Sequence, residues 1–360
     1  SNLEIALRLA PHFSDARVKL YLAKRIICDW TEFDNIEKNF DDHGYDSVFT
    51  SVFRTEDPKK NFEVARNWYR KFEKTVPKLS FPFESRKGTG QKIKIGYISR
   101  DFRDHPVGQL IGSAFVHHDR KKFEVIAFSY GQEDDSDFRK MVISGVDKFL
   151  DLGEKKAKEA AQKIFDNQID ILVDVTSHTN EGRMDILALR PAPIQVTWLA
   201  FPGTTGADFF DYMIVDKIVA PKEHAKYFSE KLIYLPRSYQ LNNNKIENSK
   251  KKYKRKDFYL PEKGFIFASF NKTPKIDPQM WEVWMRILKR IPESVLWLWR
   301  YAKEAEENLK KEAEECAIDP KRLIFADKMP KSEHLARLAL ADLGLDTRIY
   351  GGHTTTSYML

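Results

Sequence analysis

Cysteine is nearly missing: Cys28 and Cys316 are the two in 360 residues. They supply neither a disulfide framework nor a CxxC zinc or redox centre, and a reducing compartment, the cytoplasm, is the simple expectation. Apolar runs of the ~18–20 residues that a spanning helix needs are absent, as is a signal with charged, apolar and small-residue parts. No membrane span or secretory route is expected. GxGxxG and GxxxxGK[ST] are lacking, which weakens the common dinucleotide and P-loop readings. His117 and His118 stand without further ligands at a recognisable spacing, so no metal centre is read. Charge of one sign is scarce as well, because 60 basic against 53 acidic residues leave +7 scattered among ion pairs. A basic surface attracts phosphates, but there is no polycationic arm to point to nucleic acid. The densest run, Lys250 to Lys256 around Tyr253, reads as a solvated connector.

What is present is core material. With 42% hydrophobic residues, 25 Phe, 14 Tyr and 7 Trp, the chain has enough apolar area for more than one core. Three segments follow from the periodicity: a helical one over 1–80, an α/β lobe over 91–245 and a second α/β lobe over 256–360. In the first, Leu3, Leu7 and Leu9 precede a break at Pro11, and Val18, Leu22 and Ile26 recur at helical spacing, with Ser14–Asp15 as a cap. This resembles the end of a helix-turn-helix unit that stacks on something upstream. A Gly88–Thr89–Gly90 turn leads into strand-like runs at Ile93 to Ile98, Glu124 to Ser129, Ile169 to Val175 and Ile194 to Leu199, with a helix over Glu154 to Asn167. Beyond the turn-rich Asn242 to Asn244 come Phe265 to Phe270, Val295 to Leu298, Leu323 to Phe325 and Leu343 to Leu345, with a helix over Gln279 to Arg290. Such alternation predicts parallel sheets flanked by helices. Four strands are fewer than a doubly wound lobe commonly has, so the second lobe is expected to be incomplete.

Ligands of open parallel sheets sit at the carboxyl ends of the strands, which directs attention to the residues just after each one. After the first strand stands His105, before a chain-fixing proline and near Arg103 and Asp104; it suits either orientation of a reacting group or a surface ion pair. After the third come Thr176, Ser177, His178 and Thr179. Asp170 and Asp174 share a strand face, but Asp170 reads as preceding the strand, which disfavours a paired-carboxylate mechanism. Gly351-Gly352-His353-Thr354-Thr355-Thr356 combines close backbone approach, helix-start amides and hydroxyls, the features of a phosphate turn or of a glycine turn with threonine caps. Lys272 and Lys275 follow the first strand of the second lobe, where a lysine can neutralise a diphosphate or simply face solvent. Trp281, Trp284, Trp297 and Trp299 have core spacing.

Taken in order, Ile27-Cys28-Asp29-Trp30-Thr31, Ile95-Gly96-Tyr97-Ile98-Ser99, Asp101-Phe102, His105-Pro106, Leu189-Arg190-Pro191-Ala192-Pro193-Ile194-Gln195, Phe201-Pro202-Gly203-Thr204-Thr205-Gly206, Tyr227 to Leu232, Lys275-Ile276-Asp277-Pro278 and Gly352-His353-Thr354-Thr355 resemble the catalytic region of the O-GlcNAc transferase family, with its SPINDLY-type and bacterial relatives. The resemblance implies an α/β fold of GT-B type, two Rossmann-like lobes preceded by a helical segment ending a tetratricopeptide array. It implies inverting sugar transfer, from UDP-GlcNAc, to Ser/Thr hydroxyls of protein or peptide acceptors, without a required metal or other cofactor. GDP-fucose as donor, or an inactive nucleotide-binding scaffold, are the alternatives. By motif match His105 corresponds to the active-site histidine and Lys275 to the lysine that stabilises the departing diphosphate. Lys331, His334 and Arg337 match the base-recognition segment, and His353, Thr354 and Thr355 the phosphate turn. His178, Thr179, Pro202 and Gly203 would border sugar and acceptor. Tyr358 stands where the family commonly has a ribose-binding aspartate, and Pro274 where mammalian relatives have tyrosine. The family's second lobe continues past the position matching Leu360, so the resemblance implies a shortened chain.

Overall fold

A computed structural model describes residues 2–43, 46–83, 91–179, 181–243 and 245–360. The expected Gly88–Thr89–Gly90 turn and Asn244 lie outside the described residues. Five helices open the chain: α1 (Asn2–Leu9), α2 (Ser14–Ile26), α3 (Phe33–His43), α4 (Val48–Arg54) and α5 (Pro58–Phe72). Pro11 ends the first as expected, but Ser14 is the first helical residue of α2, and Phe13, with no side-chain hydrogen bond, holds the cap position. Stronger signals work at α4 and α5, where Ser47 accepts from the Thr50 amide and Asp57 from that of Lys59, with Pro58 in the first turn. The helices divide between two compact units: residues 1–46 group with 246–360, and α4 and α5 fall within 47–245.

The 47–245 unit continues with β1 (Ile93–Ser99), α6 (Pro106–Ile111), β2 (Phe123–Ser129), α7 (Asp137–Gly145), β3 (Lys148–Asp151), α8 (Ala157–Asp166), β4 (Ile171–Asp174), α9 (Met184–Leu187), β5 (Ile194–Thr197), β6 (Tyr212–Val215) and β7 (Lys231–Tyr234). All seven strands run parallel in the order β3-β2-β1-β4-β5-β6-β7. Both faces are covered: Ile98, Ile126, Phe128 and Leu172 pack on one side, and Tyr97, Val125, Ala127 and Val173 on the other. Two-sided burial is why these strands read as continuous apolar runs rather than as alternation. Three further strands, β3, β6 and β7, were not among the sequence-expected ones; each has four residues, and β3 and β7 bear lysine or aspartate.

In the other unit, α1 to α3 are followed, from residue 246, by β8 (Ile266–Ser269), α10 (Pro278–Arg290), β9 (Val295–Trp299), α11 (Lys303–Glu315), β10 (Leu323–Ala326), α12 (Lys331–Leu338), β11 (Leu343–Gly344) and α13 (Thr354–Ser357). The sheet is parallel, in the order β10-β9-β8-β11. Trp281, Trp284 and Trp297 are wholly buried within its two cores, as their spacing suggested. The basic run is not simply solvated: the Ser249 amide donates to Ser332, and Tyr253 hydrogen-bonds Glu333, tying it to α12. Among the described residues no helix is long and apolar enough to cross a membrane, and no group of three or more His, Cys, Asp or Glu could hold a metal ion. Both cysteines are free thiols.

Candidate functional site

Strand order fixes where ligands can bind. In each sheet the chain winds one way from the central strand and then reverses, between β1 and β4 in the first and between β8 and β11 in the second. A reversal leaves a crevice at the carboxyl ends of the two neighbouring strands, because their outgoing loops part to opposite faces. Each unit therefore has one such edge.

At the β8/β11 edge, Lys275 lies in a 3₁₀ turn, Thr273–Lys275. Its Nζ donates to the Gly351 carbonyl at 2.8 Å and sits 4.6 Å from the Tyr350 ring centre. Burial lowers its pKa to about 8, with Asp346 opposing and Lys272 reinforcing the shift. Asp346, two residues beyond β11, organises the turn: one carboxylate oxygen accepts from the amides of Thr347, at 2.7 Å, and Gly352, at 2.6 Å, and from Asn271 at 3.4 Å. Gly352 is required by this crowding, since a Cβ there would lie 1.9 Å from Thr356 Oγ1 and within 3 Å of Asn271 and Asp346. His353 follows at φ +48°, a conformation rarely adopted by a branched side chain and a form of strain that clusters at ligand sites. Its ring stacks on Tyr350, and burial, with Lys275 beside it, lowers its pKa to about 4. Thr354 and Thr355 open the single turn of α13, although the Thr355 amide is already spent on Gly352.

The same edge gathers the α12 residues. Lys331 Nζ lies over the Tyr358 ring, 3.1 Å from its centre. His334 packs edge-on against Phe270, and burial with Arg337 and Lys331 nearby drives its pKa down to about 3. Arg337, 2% exposed, donates Nε–H to His334 Nδ1 and an NH1 hydrogen to the Asp327 carbonyl, and lies near the faces of Phe270 and Trp297. His334 is thus a neutral imidazole whose Nδ1 accepts. The arrangement unites Lys275, Lys331 and neutral imidazoles, a setting suited to an anion and a planar base.

At the β1/β4 edge, His105 caps α6: its Nδ1 accepts from the Val107 amide at 3.3 Å and lies 3.5 Å from a carboxylate oxygen of Asp101. Asp101 is 3% exposed, its amide held by Ser99 Oγ, and burial raises its pKa to about 6 against the pull of Arg103 and Arg100. The β4 end is tied to it by a 2.8 Å hydrogen bond between Ser99 and Thr176 hydroxyls. Asp174 accepts from the Thr176 and Ser177 amides, and burial raises its pKa to about 7; Asp170 instead precedes β4 and accepts from the Lys94 amide. The two therefore do not act as a carboxylate pair.

His178 and Thr179 are in the wall of this edge. His178 Nε2 faces the Thr205 carbonyl at 2.8 Å, so it must donate, and the ring is edge-on to Trp68 and Phe201. Burial lowers its pKa to about 4. It anchors the loop carrying Pro202 and Gly203, which Glu230 also fastens through the Thr204 hydroxyl and the Thr205 amide. Thr179 Oγ1 donates to the Thr176 carbonyl. The sign of the linkage follows from the lowered value: unfolded His178 binds a proton near pH 6.5, folded His178 only near 4, so its contribution is present above about 6.5 and lost as pH falls toward 4. His178→Gln, which can still donate to Thr205, is expected to flatten the pH dependence of urea-unfolding free energy in that window by up to ~1.4 kcal/mol per pH unit, one proton's worth. An unchanged slope would remove His178 as its source.

Three residues to which sequence reading gave no site role shape these edges: Asp101, quoted only within the Asp101-Phe102 motif, Asn271 and Asp346. All three lie two residues past the end of a strand, the signal that could have found them.

The profile of glycosyl transferase family 41 matches residues 71–248 and 242–360. A probable UDP-N-acetylglucosamine–peptide N-acetylglucosaminyltransferase, SEC of Arabidopsis thaliana, is 40% identical over 280 residues, covering 76% of this chain and 29% of its own length. The SPINDLY protein of Solanum lycopersicum is 30% identical over 312 residues, covering 82% and 32%. A mutant O-GlcNAc transferase of Thermobaculum terrenum superposes with a TM-score of 0.77 at 26% identity, over 99% of this chain and 62% of that one. The chain spans about a third of the length of these curated relatives.

Proposed function

The chain belongs to glycosyl transferase family 41, and from that membership we propose that it transfers N-acetylglucosamine from UDP-N-acetylglucosamine to a serine or threonine hydroxyl of a protein acceptor, with inversion. Its α/β fold with two Rossmann-like sheets is of the GT-B class. The acceptor oxygen forms a bond to the anomeric carbon as the bond from that carbon to the diphosphate breaks; the hydroxyl proton goes to a base, and the electron pair leaves with UDP. The observation that carries the reading is the Lys275 amine, held at the Gly351 carbonyl beside the Gly352–Thr355 turn. Charge building on the leaving diphosphate is met there by an ammonium, by the Thr354 and Thr355 hydroxyls and by a desolvated surrounding that strengthens each interaction. Lys331, His334 and Arg337 are the candidates for the uracil side. His105 is the candidate to receive the proton at Nε2, in the tautomer whose Nδ1–H turns from the Val107 amide to the Asp101 carboxylate 3.5 Å away.

Calorimetric titration with UDP, UDP-N-acetylglucosamine, GDP and GDP-fucose tests the donor class. Binding of the uridine pair with GDP at least ~10-fold weaker, a difference of about 1.4 kcal/mol, is the expected result. Preference for GDP and GDP-fucose would transfer the reading to fucose, and no binding of any nucleotide would sink it.

A further inference from the structure

Within the unit formed by 1–46 and 246–360, the turn carrying Lys275 is held from below by helix α2, some 250 residues earlier in the chain. Arg25, 2% exposed, donates Nε–H to the Pro274 carbonyl at 2.7 Å and an NH1 hydrogen to the Tyr21 hydroxyl at 2.6 Å. Tyr21 in turn donates to Glu37 of α3 at 2.8 Å. The guanidinium is flanked by the rings of Tyr21 and Phe33. On the other side of Pro274, Thr273 Oγ1 donates to the Ile26 carbonyl at 2.6 Å.

We propose that Arg25 is a positioning residue for Lys275, through which the amino-terminal helices set the direction of the amine. The peptide group is planar, so fixing the Pro274 carbonyl fixes the Lys275 N–Cα bond. Proline leaves that carbonyl as the one hydrogen-bonding group of residue 274, and locks its φ. Thr273 fixes the other end of the turn, while the Lys275 amide closes it on the Lys272 carbonyl. The turn is therefore clamped at both ends by α2, and the side chain emerges toward Gly351. A fork donor is needed, because one arm must reach Pro274 and another Tyr21 at once; a lysine cannot span both. The inference rests on the reading of Lys275 as the diphosphate ligand.

The test uses the full chain with Arg25→Lys, Thr273→Val and, as a packing control, Phe40→Leu in the adjoining α2/α3 core. Three quantities are read: the pH midpoint of Lys275 acylation, followed by peptide mass spectrometry; the Kd for UDP; and the thermal midpoint. Asp346, Lys272, His353 and Tyr350 are the titratable groups that face the amine, and all are retained. Arg25→Lys is expected to loosen the turn, hydrate the amine and raise its midpoint by about one pH unit, with UDP about 10-fold weaker. Thr273→Val should move both in the same direction by less. Phe40→Leu should lower the thermal midpoint and leave the acylation midpoint in place. A midpoint unmoved in both clamp variants, or moved equally by Phe40→Leu, overturns the inference. A moved midpoint with unchanged UDP affinity keeps it and removes the diphosphate role from Lys275. Should Arg25→Lys not fold, Thr273→Val decides alone.

Discussion

Lys275→Met is expected to lower sugar transfer by about 10²–10³-fold in kcat, roughly 3–4 kcal/mol of transition-state stabilisation, the range for removing one preorganised donor. Methionine keeps the length of the stem and fills its partly buried channel, so the loss isolates the charge. The effect should also appear in binding. Free Lys275 titrates near 8, and a bound diphosphate favours the ammonium, so UDP binding takes up a proton as pH approaches and passes that value. Affinity is then full below about pH 8 and declines up to ~10-fold per pH unit above it. Calorimetry at pH 7, 8 and 9 in buffers of different ionisation enthalpy measures both affinity and proton uptake. In Lys275→Met the affinity should be lower and free of this dependence. A variant that turns over at the native rate would exclude the lysine from the reaction.

His105→Ala should cost about 10²–10⁴-fold in kcat, the usual contribution of a positioned base, and leave UDP affinity within about twofold. The split follows from placement, because His105 belongs to the 47–245 unit and the Lys275 cluster to the other. Steady-state transfer to an acceptor peptide, paired with UDP titration, separates the two variants: one loses rate alone, the other rate and binding. Loss of UDP binding in His105→Ala would move the histidine from proton transfer to donor recognition. Native turnover would leave His105 as the cap of α6.

Much of the fold was legible because parallel strands buried on both faces are uninterrupted apolar runs, and eight were read at nearly their final bounds. The strands that escaped, β3, β6 and β7, are four residues long, and β3 and β7 mix apolar positions with charge, so neither run length nor alternation marks them. The candidate site was legible where chemistry is concentrated locally, as in Gly351 to Thr356. It was not where the environment comes from elsewhere in the chain. His178 stands at a strand end like His105, yet Trp68, more than a hundred residues before it, closes over one and not the other. Arg25 looks like any basic residue in the last turn of a helix until Pro274 is folded against it. Ser14 had the chemistry of a cap but fell one residue inside the helix.

The distribution of tryptophan has an optical consequence. Five of the seven, Trp30, Trp281, Trp284, Trp297 and Trp299, belong to the unit that contains Lys275, and three of those are shut away from water. Intrinsic emission is therefore weighted toward that unit, blue-shifted while its core is dry, with Trp68 and Trp198 alone reporting on the unit of the seven-stranded sheet. Backbone circular dichroism weighs both. Where the two signals part during denaturation, the distance between the curves is a direct record of how independently the two units melt.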